Sequence, residues 1–139
     1  MQTTFKLFLL CLFCLSLIFL NGCGDNAGKD CVGTTEIQIG DKNTFKLSIQ
    51  QGDVIEVFSL VMHVSVLKAD TRKFERRYEA SKNKVIDRVT TVLRASTTEE
   101  RMESGNTTIK GKVVTAINDV LETPWVQEVF FTEIIYQII

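Results

Sequence analysis

The spacing of apolar side chains changes four times along the chain, and each change predicts a different kind of segment. Leu7 to Leu20 (LFLLCLFCLSLIFL) is an apolar run of fourteen residues without a charge. From Thr34 the pattern alternates. Glu36-Ile37-Gln38-Ile39 and Thr44-Phe45-Lys46-Leu47-Ser48-Ile49 read as two short strands separated by a Gly40-Asp41 turn. Gln51-Gly52-Asp53 predicts another turn, and Val54 to Leu67 a long strand. The even positions of that strand carry Val54, Phe58, Leu60, Met62, Val64 and Val66, interrupted only by Glu56. Its odd positions are mixed, so one face belongs to a core and the other is partly solvated.

Asp70 to Ala95 switches to helical spacing, with Tyr78, Val85, Ile86, Val89, Val92 and Leu93 recurring at three and four residues. Asp70 or Thr71 is placed to cap its start. Thr97 and Glu100 stand at capping-box spacing at the head of a second, short helix that Gly105 ends. Ile109, Val113, Ala116, Ile117, Val120 and Leu121 make the apolar stripe of another long helix, stopped by Pro124. Val126 to Gln137 (VQEVFFTEIIYQ) is apolar on both faces, which predicts a central strand rather than an edge. The order β-β-β-α-(short α)-α-β predicts an α+β fold, an antiparallel-rich sheet with two long helices packed on it.

The first run is short for a membrane span. Fourteen helical residues cover about 21 Å, and a bilayer core is about 30 Å thick. With Lys6 in front it fits the apolar region of a signal peptide. Leu20-Asn21-Gly22-Cys23 follows, resembling a bacterial lipobox, in which the Gly22–Cys23 bond is cleaved and Cys23 carries lipid through its sulfur. The predicted organisation is a lipoprotein signal peptide over 1–22, a lipidated N-terminus and flexible Gly-rich tether over 23–33, and one domain over 34–139. Several acyl chains would anchor the protein stably, since each buried CH₂ contributes about 0.8 kcal/mol. The rival readings are an ordinary secretory peptide or an uncleaved anchor, with a Cys23–Cys31 disulfide if Cys23 is not lipidated. Cys11 and Cys14 lie inside the apolar run without histidine or charge nearby, which argues against a metal or redox pair.

Composition separates the leader from the body. Residues 1–22 hold one charged side chain, whereas the other 117 carry 15 basic and 17 acidic groups. A formal net charge of −1 speaks against a nucleic-acid partner. The near-neutral sum hides an asymmetry. Asp70 to Ala95 has eight basic residues against four acidic, and the stretch after it three against seven. A basic helix beside an acidic half could dock like protomers or face anionic headgroups. The blander expectation is a solvated face, with Glu75 and Glu79 paired locally to Arg72, Arg76 and Lys82.

Nothing predicts catalysis. His63 is the sole histidine, Asp87 and Glu133 are isolated in sequence, and no phosphate-binding glycine pattern occurs. A pocket joining His63, Asp87 and Glu133 would reverse that expectation. No catalytic residue, cofactor or metal ligand is therefore expected. Asn106-Thr107-Thr108 formally matches a glycosylation sequon, which means little in a bacterial lipoprotein.

The second half resembles the FliL family of flagellar basal-body-associated proteins. The similarity runs from about Val54 to Gln137 and is strongest in Val126-Gln127-Glu128-Val129-Phe130-Phe131-Thr132-Glu133-Ile134-Ile135-Tyr136-Gln137. Val85-Ile86-Asp87-Arg88-Val89 through Thr97, and Val113 through Ile117-Asn118-Asp119-Val120-Leu121, resemble the family's two helices. Members commonly carry a transmembrane helix where this chain has a lipobox-like leader. The resemblance implies a periplasmic domain of stomatin-like (SPFH-like) fold that forms homo-oligomeric rings around the stator units of the flagellar motor and supports motility without chemistry. The alternative is a general envelope lipoprotein, a binding module unrelated to motility. Gly24 is not the aspartate that retains lipoproteins in the inner membrane, leaving outer-membrane sorting open. The resemblance favours the inner membrane.

Overall fold

The alternating segments form the sheet and the helically spaced ones cover a single face of it. The computed structural model describes residues 33–139; the leader, the Gly22–Cys23 bond, the tether up to Val32 and Cys31 lie outside the described residues. The strands are β1 (Thr34–Ile39), β2 (Phe45–Gln51), β3 (Val54–Leu67) and β4 (Val126–Ile138). The helices are α1 (Thr71–Ala95), α2 (Thr98–Met102) and α3 (Thr107–Leu121), with 3-10 turns at Lys68–Asp70 and Ser104–Asn106. All strand pairs are antiparallel, and two long helices lie on them, as the spacing predicts.

β3 is the centre of the sheet. β1 pairs with its C-terminal half (Ile39 opposite Met62) and β2 with its N-terminal half (Phe45 opposite Leu60). Because β4 pairs along the same stretch of β3, β1 and β2 lie end to end on the opposite edge. The turn between them needs Gly40. Its φ is +69°, and a Cβ there would sit 2.6 Å from the Thr44 Oγ1. Tyr78 of α1 reaches this turn, its hydroxyl accepting a hydrogen bond from the Gly40 N–H at 3.0 Å.

The inner face of the sheet and the helices share the core. Phe45, Phe58, Leu60, Met62, Val64 and Val66 are buried against Phe74, Val85, Val89 and Leu93 of α1 and Ile109, Val113, Ile117 and Leu121 of α3. Each such side chain contributes roughly 1.5–3 kcal/mol by leaving water.

Three local expectations are corrected. Among the described residues β4 is an edge strand, pairing with β3 alone. Its apolarity on both faces does not come from burial between two neighbours. At the start of α1 neither Asp70 nor Thr71 caps through its side chain in the expected way. The preceding 3-10 turn runs into the helix, so the Thr71 N–H already donates to the Lys68 carbonyl, while the Thr71 hydroxyl donates back to Leu67 O. And α3 stops before proline can act. Glu122 adopts φ +57°, and the Glu122 and Thr123 N–H groups donate to Asp119 O and Asn118 O, closing the helix end.

Candidate interaction surfaces

Glu56, the lone interruption in the apolar face of β3, is buried and paired. The Arg101 guanidinium of α2 donates to its carboxylate, and the Thr98 hydroxyl donates to the other oxygen at 2.8 Å. Arg101 also donates to the Ser96 carbonyl, and both members of the ion pair are almost wholly buried. Burial pushes the Glu56 carboxyl upward, but hydrogen bonds from Arg101 and Thr98 outweigh it and hold the group below its ordinary range. The corner around this pair is tied down from every side. Thr97 and Glu100 form the predicted capping box, with both hydrogen bonds at 3.2 Å. Lys112 of α3 donates to both Glu100 oxygens at 2.7 and 2.8 Å. Asn106, in the left-handed conformation and buried, donates its amide to Arg101 O at 3.0 Å. Asn106 thus serves a structural bond, whatever its match to a glycosylation sequon.

The opposite situation holds along β4. Its first half is held by Asn118, whose amide accepts from Val126 N and donates to Val126 O, each at 3.0 Å. Val126 and Val129 then enter the core. A bulge follows. Ser59 faces Ile135 and Val61 faces Thr132, so Leu60 is opposed by two residues, and Glu133 takes φ +51°. Past the bulge the strand is exposed: Ile135 is 52% accessible, Ile138 63% and Ile139 75%. Ile55 and Ile139 bond reciprocally at 3.0 and 2.9 Å, extending this apolar end to the last residue. The outer face of the sheet, on which no described helix packs, continues it through the half-buried Val57 and Phe130.

The structure does not bring His63, Asp87 and Glu133 together. His63 sits half-buried on the outer face of β3 opposite Phe130. Asp87 is exposed on α1, in the layer over the inner face. Glu133 occupies the bulge and faces Lys42 at 3.5 Å. Among the described residues, no three His, Cys, Asp or Glu side chains gather as a metal site. The concavities are open grooves: one of ≈ 300 Å³ between α1 and α3, beside Arg88, Val92 and Lys112, and one of ≈ 350 Å³ beside Trp125. Local pairing of Glu75 and Glu79 does not occur either. The α1 ion pairs among the described residues are Lys73–Asp70 at 3.6 Å and Arg77–Glu122 at 2.9 Å, because Glu122 in its left-handed conformation brings a carboxylate to Arg77 from α3.

Sequence reasoning overlooked the Glu56–Arg101 pair, although a single carboxylate on an otherwise apolar strand face was its signal. It also overlooked the Trp125 groove, which unites residues nearly fifty positions apart.

No curated protein matches the chain. A family model does: that of the flagellar basal body-associated protein FliL matches residues 37–137. The match opens in β1, takes in all three helices and runs nearly to the end of β4, so it covers the ion-paired corner and the open strand alike. The chain therefore belongs to the FliL family, non-enzymatic accessories of the flagellar basal body.

Proposed function

We propose that this protein is a lipid-anchored accessory of the flagellar motor that assembles with copies of itself and associates with the stator units, supporting motility without catalysing a reaction. One observation carries the assembly part of the reading. β4 is composed like a strand with two neighbours, yet beyond its bulge it has one neighbour and a row of accessible isoleucines. An unpaired strand edge offers N–H and C=O groups to another chain, and an apolar face beside it adds the burial that makes such pairing stable. A second copy satisfies both needs. The described grooves are open rather than enclosed, a shape that suits contact with another macromolecule.

Anchoring is assigned to Cys23, with cleavage between Gly22 and Cys23 and residues 34–139 as a single domain on the periplasmic side of the inner membrane. Among the described residues no helix is long and apolar enough to cross a membrane. The two-layer arrangement is compatible with a stomatin-like fold.

A clean deletion tests the reading. Swimming under high viscous load is expected to fall while flagellar filaments still form, and isolation of the tagged chain in mild detergent is expected to bring stator subunits with it. Unchanged motility under load, with no stator subunit recovered, would turn the balance to a general envelope lipoprotein.

A further inference from the structure

The end of the sheet at which the chain enters the described unit is basic. The Gly33 carbonyl accepts a hydrogen bond from Lys68 N at 3.0 Å, and Thr34 lies opposite Leu67. Residues before Gly33 thus join the unit beside the start of α1. Five cations fall within the ten residues after Leu67: Lys68, Arg72, Lys73, Arg76 and Arg77. Asp70 and Glu122 each engage one of them, while Arg72 and Arg76 form no ion pair among the described residues. Lys73, Arg76, Arg77 and Ala80 line the ≈ 350 Å³ groove together with Trp125. Trp125 packs one side on the core and precedes Val126, which pairs with Val66 at this same end of β3. Leu67, at the same end of β3, is 42% accessible.

We propose that this end docks onto the headgroup layer of an anionic phospholipid membrane, with the α1 cations against lipid phosphates and Trp125 at the boundary between headgroups and acyl chains. The proposal rests on the reading of Cys23 as the lipid-bearing residue. Nine residues separate Cys23 from Gly33, a reach of about 30 Å even when fully extended. The basic end is therefore the part of the unit held nearest the bilayer. Attraction to an anionic surface acts within about 8 Å at physiological ionic strength, so it requires a tether that permits close approach. A tryptophan flanked by lysine and arginine matches what an interface selects: an amphipathic ring beside groups that bind phosphate. An acidic protein partner would call for the cations alone; it supplies no reason for them to surround the ring at the tethered end.

Trp125 is the chain's single tryptophan, so its fluorescence reports on this groove. The full mature chain, reconstituted in phosphatidylcholine vesicles with or without one-third phosphatidylglycerol, is probed with lipids brominated near the headgroup. Quenching and a blue shift are expected in anionic vesicles, and both are expected to vanish at high salt. Lys73 and Arg76 are exposed, so Lys73→Gln with Arg76→Gln keeps the fold; it is expected to weaken docking by roughly 10-fold or more. Equal Trp125 emission in both vesicle types, from a chain that floats with them, overturns the docking and leaves the anchor standing. A response to inorganic phosphate without vesicles assigns the groove to a free anion and also overturns it. The mass of the mature chain tests the anchor separately: an unmodified Cys23 ends that reading, whatever Trp125 does.

Discussion

β3 and β4 are neighbouring strands of similar length and similar apolar content, yet their environments differ. β3 has a partner on each edge and helices over its inner face, and its one inner-facing carboxylate is neutralised by Arg101. β4 shares that protection only as far as its bulge; beyond it the isoleucines are accessible and the outer edge is free among the described strands. In β3, folding of the single chain buries every inner-face apolar residue from Phe58 to Val66. In the second half of β4 it does not, and Ile134, Ile135 and Ile138 stay accessible. The contrast teaches that apolar composition and burial within the fold are separate properties, since two strands of like composition differ in what the fold covers.

The largest effects are expected where β3 is disturbed. Phe58→Ala removes a fully buried ring that lies edge-on to Tyr136, and urea unfolding is expected to show a loss of about 3–5 kcal/mol. Arg101→Met leaves Glu56 buried without its cation, at a cost of about 3–5 kcal/mol. Adding Glu56→Met to that variant is expected to recover most of the loss, because two apolar chains replace two charges. A double variant no more stable than Arg101→Met would mean that the pair does not act as a unit.

The same pair gives β3 a pH signature that β4 lacks. The Glu56 carboxyl is held below its ordinary value of 4.5, so its contribution to stability is complete above that pH. It is lost as the pH falls below 4.5 toward the folded-state value, since protonation then becomes easier in the unfolded chain. Thermal melts between pH 7 and pH 3 should show this loss in the parent and a smaller one in the Glu56→Met/Arg101→Met variant. A smaller effect belongs to the protected start of β4. Asn118→Ala removes both hydrogen bonds to Val126, and about 1–3 kcal/mol of unfolding free energy should go with them.

How much of this could be read in the sequence follows from the range of each interaction. Element order, the long β3 and the Thr97–Glu100 capping box are local, and apolar period or fixed spacing reveals them. The edge position of β4 is not local. A run such as VQEVFFTEIIYQ records how apolar its surroundings are and cannot distinguish another strand of its own sheet from a second molecule. Glu56 shows the same gap from the polar side. Its place on β3 marks it as buried, but Arg101 lies 45 residues on, in a five-residue helix, and only the folded chain brings them together. The Trp125 groove was illegible for that reason too, since its cations come from α1 and its ring from the approach to β4. The α1 start shows the limit of even local rules, because a 3-10 turn carries the backbone straight into the helix, with the Thr71 N–H on the Lys68 carbonyl and no side-chain cap.

The smallest effect on folding is also the sharpest test of the contrast between the strands. Ile135 lies opposite Ser59, one position along from the buried Phe58 and its half-buried partner Tyr136, and is half accessible. Ile135→Lys should change unfolding free energy by no more than about 0.5 kcal/mol, since the fold gains little from a side chain it leaves in water. A lysine on an edge strand, however, opposes the close approach of another chain. The parent is expected to show concentration-dependent association in sedimentation velocity and Ile135→Lys to remain a single species. If instead the substitution unfolds the chain as Phe58→Ala does, the exposed half of β4 is part of the core after all, and the distinction between the strands collapses. If both proteins sediment alike, the surplus apolarity of β4 serves a partner other than its own copy.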